Sequence, residues 1–161
     1  AQRIGAGDDA GARRLGRHGV EIGLLAGAAV GGTVYFLRAF ILRAYTSDPV
    51  IIAAALPLLA WVALFHMADA AQAVAAFVLR AYRIVNLPLL INAVAIWGVG
   101  LAGGYVLAFD LTGLTPPALR GAQGFWAAAT LGLVVAALAL VLLLVRTYHR
   151  QRGAHPLAIA A

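Results

Sequence analysis

The chain has 161 residues, 63% of them hydrophobic and only 11% charged, whereas soluble domains are about half apolar and about a quarter charged. This composition excludes an ordinary soluble domain and predicts an integral membrane protein. All twelve basic residues are arginines at the ends of apolar runs, with no basic patch of interleaved aromatics, so the net charge of +6 does not indicate a nucleic-acid partner.

The first apolar span follows a polar N-terminal segment. Residues 1–18 carry four arginines and lack the charged-then-apolar order of a signal peptide. Because the sequence begins with Ala1 rather than methionine, we expect it to belong to a longer protein. The span itself, about residues 19–37, has a glycine at every fourth position, which predicts close packing against another helix. This glycine row consists of Gly19, Gly23, Gly27 and Gly31.

The second span, about residues 49–79, is almost wholly apolar and long enough to cross a hydrocarbon core roughly 30 Å thick. The sequence T-S-D-P at 46–49 predicts a capped helix start. One carboxylate, Asp69, interrupts the span. If Arg80 marks the cytoplasmic end, Asp69 lies eleven residues inside it, roughly 16 Å, near the middle of the membrane. A carboxylate at that depth costs on the order of 3 kcal/mol, so we expect it to face a bundle interior or a watery cavity.

Three further side chains are predicted to line the same cavity as Asp69. At about 100° per residue, Phe65 and Gln72 share a helical stripe with Asp69, and His66 lies beside it. His66 and Asp69 alone supply too few ligands for a metal site, and the chain has no cysteine, so no resident metal is expected. We interpret the stripe as a functional, partly polar surface on an otherwise apolar helix.

Two more apolar spans follow, at about residues 86–109 and 123–145. The earlier one contains Gly100 and Gly104, a G-x-x-x-G pair that predicts a second helix-packing surface. Residues 146–161 form a basic tail that is predicted to be loosely ordered.

The arginines are divided unequally between the two sides of the membrane that the four predicted spans cross. The N-terminal segment holds four, the turn after the second span two and the C-terminal tail three, which places nine on one side. The two remaining loops hold three. By the positive-inside rule, both ends of the chain, including the tail, are predicted to be cytoplasmic.

A resemblance to a known family is carried by motifs along nearly the whole chain. The motifs are IGAGDDAGARRLGR, FLRAFILRAYTSDPVI, LFHMADAAQAV, LRAYRIVNLPLLINAVAIWGVGLAGGYVLAF and RGAQGFWAAATLGL. In this order they resemble the MATE family of multidrug and toxic compound extrusion transporters, in its NorM-like bacterial branch, from the loop after the eighth helix to the start of the twelfth.

The resemblance implies that residues 1–161 are the C-terminal part, helices nine to twelve, of a twelve-helix transporter with two lobes, and that the N-terminal helices are missing. It implies export of organic, often cationic, compounds or drugs across the bacterial inner membrane, driven by proton or sodium influx. Asp69 matches the acid of the tenth helix and would couple the two fluxes, binding Na+ if sodium is the ion. Phe65, His66 and Gln72 would line the substrate cavity. Membrane lipids are further partners, and neither a cofactor besides the coupling ion nor an enzymatic activity is expected.

The residues leave two other functions open. A flippase for lipid-linked precursors would share the architecture but would need a strongly basic cavity, and no arginine lies in the middle of a span. A membrane assembly protein without transport activity would not need an acid at the depth of Asp69.

Overall fold

The computed structural model describes residues 1–154, with side chains to residue 151, and is all-α over that range. Four helices are long and apolar enough to cross a membrane. They are Asp9–Tyr45, Pro49–Ala81, Asn86–Ala108 and Ala122–Gln151. The predicted all-α membrane fold with four spanning helices is confirmed.

The elements are numbered in chain order. They are α1 (Gln2–Gly5), α2 (Asp9–Tyr45), α3 (Pro49–Ala81), α4 (Asn86–Ala93), α5 (Gly103–Ala108) and α6 (Ala122–Ala154). The segment Val94–Ala102 is π-helical and joins α4 to α5, so Asn86–Ala108 forms one continuous third spanning helix. A short 3-10 turn, Pro117–Leu119, lies in the loop before α6.

Aspartates start the first two spanning helices. The Asp8 carboxylate accepts a hydrogen bond from the Gly11 amide at 2.8 Å, and the Asp48 carboxylate accepts one from the Val50 amide, also at 2.8 Å. Each carboxylate satisfies an amide that has no partner inside the helix, and Pro49 occupies a first-turn position where its missing N–H costs nothing. The predicted cap ahead of the second span is confirmed.

The end of α3 reverses the chain in a few residues. Arg83 has a φ of 61°, the left-handed conformation that ends many helices. Its amide donates to the Arg80 carbonyl at 2.9 Å, and the Ile84 amide donates to the Leu79 carbonyl at 3.0 Å. Ile84 also packs against the core cluster that contains Leu79, and a hydrophobic contact of this kind often accompanies such a Schellman motif. The third helix therefore starts only a few residues beyond α3.

The last helix is longer than its apolar span. The prediction of a loosely ordered tail is wrong for residues 146–154, because α6 continues through them to Ala154. No proline interrupts this stretch, and its basic side chains are favourable near a helix C-terminus. Residues 155–161, the rest of the predicted tail, lie outside the described residues.

The spanning helices pack in an order that differs from their order in the chain. α2 packs along α3, α3 along α6, and α6 along the third helix. α2 and α3 are antiparallel, since Gly31 lies near Ala63 and Gly16 near Val78. The spatial order of the spanning helices is therefore α2, α3, α6 and the third helix, so that α6 lies between α3 and the third helix.

The bundle has a small core and a largely apolar surface. The core between α3 and α6 is built around Ala75, Ala76, Leu79, Leu140 and Leu144. Many large apolar side chains are exposed, among them Phe36 at 83% and Trp97 at 69%. A surface of this kind must be covered by lipid or by other helices.

Candidate functional site

The glycine row of α2 lies against α3 and allows the two backbones to approach closely. A Cβ on Gly27 would lie 2.7 Å from the carbonyl oxygen of His66, and one on Gly31 would overlap the carbonyl oxygen of Ala63. Such contacts are tighter than real side chains make, so only glycine fits at these two positions. The other two members, Gly19 and Gly23, face Val74.

The second glycine pair lies at the contact between the third helix and α6. Gly104 packs on Phe125, whose ring would lie 2.8 Å from an added Cβ, whereas Gly100 faces Ala129 at 3.6 Å. On the other side of the same contact, a Cβ on Gly132 would lie 2.9 Å from the Gly100 amide nitrogen. Three glycines from two helices therefore set this crossing.

Asp69 lies in the middle part of α3 and its side chain is exposed. It has no hydrogen-bond or ion-pair partner within residues 1–151. By helical spacing it occupies the strip between the face that packs on α2 through Ala63 and Ala70 and the face that packs on α6 through Phe65. The carboxylate therefore projects from a side of α3 that these helices do not flank.

Phe65 lines a cavity of about 360 Å³ between α3, α6 and the π-helical segment. Its ring meets that of Trp126 edge to face, with centroids 6.0 Å apart. The remaining lining residues are Ile96, Gly100, Leu101, Phe125, Ala129 and Leu133. The cavity is apolar and aromatic, and its lining includes neither Asp69 nor His66 nor Gln72. Of the four predicted site residues, Phe65 is the one that lines this cavity.

His66 and Gln72 lie on α3 on either side of Asp69 and are half-buried. Neither side chain has a hydrogen-bond partner in the described part of the chain, and the His66 ring lies edge to face with the Phe65 ring at 6.5 Å between centroids. Residues 1–151 hold no cluster of three or more His, Cys, Asp or Glu side chains that could bind a metal ion. The polar side chains of this stripe are thus unpaired within the described residues.

Two aromatic contacts near this stripe were not predicted. Trp61 donates a hydrogen bond from its indole Nε1 to the side-chain oxygen of Gln123 at 3.1 Å, and Trp126 closes one side of the Phe65 cavity. A tryptophan inside an apolar helix signals that its N–H needs a partner. The partner lies 62 residues away in sequence, so only the packing of α3 on α6 identifies it.

Together, the fold and this site define a class: a multi-pass α-helical membrane protein whose second spanning helix carries a carboxylate that has no partner within residues 1–151. Comparison with known proteins identifies the family within that class. The family profile MatE matches residues 1–106. The chain belongs to the MatE, or MATE, family.

Relatives in several bacteria agree with this assignment. The chain is 36% identical to the "Probable multidrug resistance protein NorM" of Chromobacterium violaceum, over 92% of this chain and 32% of that protein. It is 34% identical to the "Multidrug resistance protein MdtK" of Pectobacterium atrosepticum, over 99% of this chain and 34% of the relative. Identity to the "Multidrug resistance protein PmpM" of Pseudomonas aeruginosa is also 34%, over 92% of this chain and 31% of the relative. The chain therefore spans about a third of the length of these relatives.

Proposed function

We propose that the chain is part of a multidrug exporter that moves organic, often cationic, compounds out of the bacterial cell across the inner membrane by exchange for protons or sodium ions. The observation that carries this proposal is Asp69, an exposed carboxylate that has no partner within residues 1–151 and lies in the middle part of an apolar spanning helix. Family membership and the names of the relatives support the same function.

The energetic argument starts from the cost of Asp69. An acid at the centre of a membrane costs on the order of 3 kcal/mol, whereas a hydrogen bond between spanning helices returns roughly 0.6 kcal/mol. Structural hydrogen bonding therefore does not offset its presence, and within residues 1–151 Asp69 makes no such bond. Binding and release of a cation would account for a carboxylate at this costly position in the membrane.

Exchange follows from competition for one negative charge. A proton or sodium ion bound to Asp69 neutralises the carboxylate, and an organic cation in the same cavity is held by that carboxylate only while it is ionised. Each ligand therefore weakens the binding of the other, and by linkage the effect is reciprocal. Phe65 and Trp126 would supply the apolar and aromatic surface for the organic part of the substrate, with His66 and Gln72 as polar neighbours.

The open strip around Asp69 fits a cavity completed by other helices. Asp69 projects from a side of α3 that α2 and α6 leave free, and the relatives are about three times as long as this chain. In the proposed transporter, the helices that precede this chain cover that strip and supply the rest of the cavity.

The test is Asp69→Asn in the full-length natural polypeptide, which keeps the size of the side chain and removes its charge. Efflux of a fluorescent organic cation from proteoliposomes, driven by a proton or a sodium gradient in separate runs, should fall at least tenfold. Glu21→Gln is the matched control, because Glu21 lies in an exposed ion pair with Arg17 at 3.4 Å and should leave efflux unchanged. Wild-type export by the asparagine variant across both series would make Asp69 a structural residue.

A further inference from the structure

A basic cavity lies at the end of the bundle where α2 begins and α6 ends. It has a volume of about 370 Å³ and opens between the two helices. α2 contributes Arg13, Arg14 and Arg17, and α6 contributes Tyr148 and His149. The three arginines fall at positions i, i+1 and i+4 of α2, and the two α6 residues face them across the gap. Two separate helices thus direct basic side chains into one space.

The positive charge of this cavity is only partly balanced. Arg17 lies 3.4 Å from the Glu21 carboxylate, but neither Arg13 nor Arg14 forms an ion pair within residues 1–151. Guanidinium groups present paired N–H donors that match the oxygens of phosphate better than an ammonium does. A phosphate group is therefore the anion that this arrangement suits.

The inner wall of the cavity is apolar. Val145 lines it, and the Tyr148 ring packs edge to face on Tyr82 with centroids 5.8 Å apart. The volume equals that of roughly twelve water molecules at about 30 Å³ each, which is ample for a phosphate with a glycerol attached. The cavity thus offers arginines at its mouth and an apolar wall behind them.

Its position along the helices selects the source of the phosphate. Arg13, Arg14 and Arg17 precede the apolar stretch of α2, which starts near residue 19, and Tyr148 and His149 follow the apolar stretch of α6, which ends near residue 145. In a membrane this is the level of the lipid headgroups, on the side that the arginine distribution predicts to be cytoplasmic. Acidic lipids are enriched there, and basic pockets between spanning helices bind their headgroups.

We propose that the cavity formed by Arg13, Arg14, Arg17, Tyr148 and His149 is a binding site for the phosphate of an acidic glycerophospholipid. The arginines bind the phosphate oxygens, the glycerol lies against Val145 and Tyr148, and the acyl chains extend along the exposed apolar surface of α2 and α6. The site is separate from Asp69 and does not depend on the proposed transport activity.

The experiment measures lipid binding to the full-length natural polypeptide in detergent by native mass spectrometry. Phosphatidylglycerol should bind more tightly than phosphatidylcholine. An arginine near the headgroups contributes about fivefold in affinity, so the double variant Arg13→Gln and Arg14→Gln should bind phosphatidylglycerol about 25-fold more weakly. Phosphatidylcholine binding should not change.

Two matched variants separate a site from general surface charge. Arg80→Gln with Arg83→Gln removes the same two charges from the same end of the bundle, outside the cavity, and should leave phosphatidylglycerol binding near the wild-type value. Arg13→Lys with Arg14→Lys keeps the charge but loses the paired donors, and should weaken binding measurably while preserving the fold.

Three results would overturn the proposal. Equal losses in the two glutamine variants, or full binding by the lysine variant, would show that only surface charge matters. Displacement of the lipid by inorganic phosphate at equal concentration would show a site for a small soluble anion instead. Because lipid binding is measured without substrate or ion gradient, a failed transport test does not affect the result.

Discussion

Single atoms decide how close α2 and α3 come. At Gly27 and Gly31 the backbone of α3 occupies the space that a side chain would need, with the carbonyl oxygens of His66 and Ala63 directly opposite. In a membrane, lipid tails are as apolar as leucine, so helices associate through close packing rather than through the hydrophobic effect. These glycines therefore favour helix association because they have no side chain to hold the two backbones apart.

Gly27→Leu should destabilise the full-length protein by about 1–3 kcal/mol, because the new side chain must push α2 away from α3. The measurement is a thermal melt in detergent. Gly32→Leu is the matched control, since a Cβ at Gly32 meets no atom within 4 Å and the same substitution should be nearly neutral there. A melting temperature for Gly27→Leu equal to that of Gly32→Leu would contradict the close contact.

Individual elements are held by short-range interactions, and the loop between α5 and α6 is the clearest case. Asp110 accepts a hydrogen bond from the Thr115 amide at 2.8 Å and forms an ion pair with Arg120 at 2.7 Å. The Nε of Arg120 in turn donates to the Thr115 carbonyl at 3.1 Å. Asp110 itself has a φ of 51°, a strained conformation that this network offsets. The three residues close the loop into one unit.

The loop should open in acid. The hydrogen bond from the Thr115 amide, with help from the nearby Arg120 charge, holds the pKa of Asp110 below its ordinary 3.8. A lowered pKa in the folded state means that the ionised carboxylate stabilises the loop above pH 4, approximately, and that this stabilisation is lost as the pH falls through the lowered value. Hydrogen exchange of the loop amides between pH 5 and pH 2, corrected for the intrinsic rate, should show the loss.

Asp110→Asn should remove most of this acid dependence and leave the loop weaker at neutral pH. Asp48→Asn serves as the control, because asparagine also caps helices and position 48 lies in a different loop. An unchanged acid transition in Asp110→Asn would assign the titration to another group.

The whole molecule is organised by the order in which its helices pack. α3 and α6 are neighbours although the third helix separates them in sequence, and the core and the Trp61–Gln123 hydrogen bond both depend on that arrangement. The start of α2 and the end of α6 meet at one end of the bundle, where Gly16 contacts Tyr148. Both described ends of the chain therefore lie on the same side of the bundle.

A labelling experiment tests which side of the membrane that is. The 161 residues contain no cysteine, so a cysteine introduced into this part of the protein is unique there. In intact cells, a membrane-impermeant maleimide should label Ser47→Cys and Thr112→Cys, and should label Ala10→Cys and Arg150→Cys only after the membrane is permeabilised. The opposite pattern would contradict the cytoplasmic placement inferred from nine arginines against three.

The sequence by itself determined the fold class, the four spanning helices and the helix start at Asp48, because each follows from properties of neighbouring residues. A run of apolar residues long enough to cross a membrane must form a helix, since lipid offers no partner for a free backbone amide. Asp69 could also be identified from the sequence, because a charged residue inside a long apolar run is easily recognised. The extension of α6 beyond its span was missed, since helix formation continues past the point where the apolar pattern stops.

Tertiary structure alone decided which helices touch and where Asp69 projects. The sequence predicted that Gly27 and Gly100 face other helices, but identified neither α3 nor α6 as their partners, and it did not indicate the π-helical segment Val94–Ala102 or the cavity at Phe65. Spanning helices are largely apolar on all sides, so their hydrophobic pattern does not identify the neighbour that each face meets. That choice depends on the fit between surfaces of helices far apart in the chain, which exists only once they are packed.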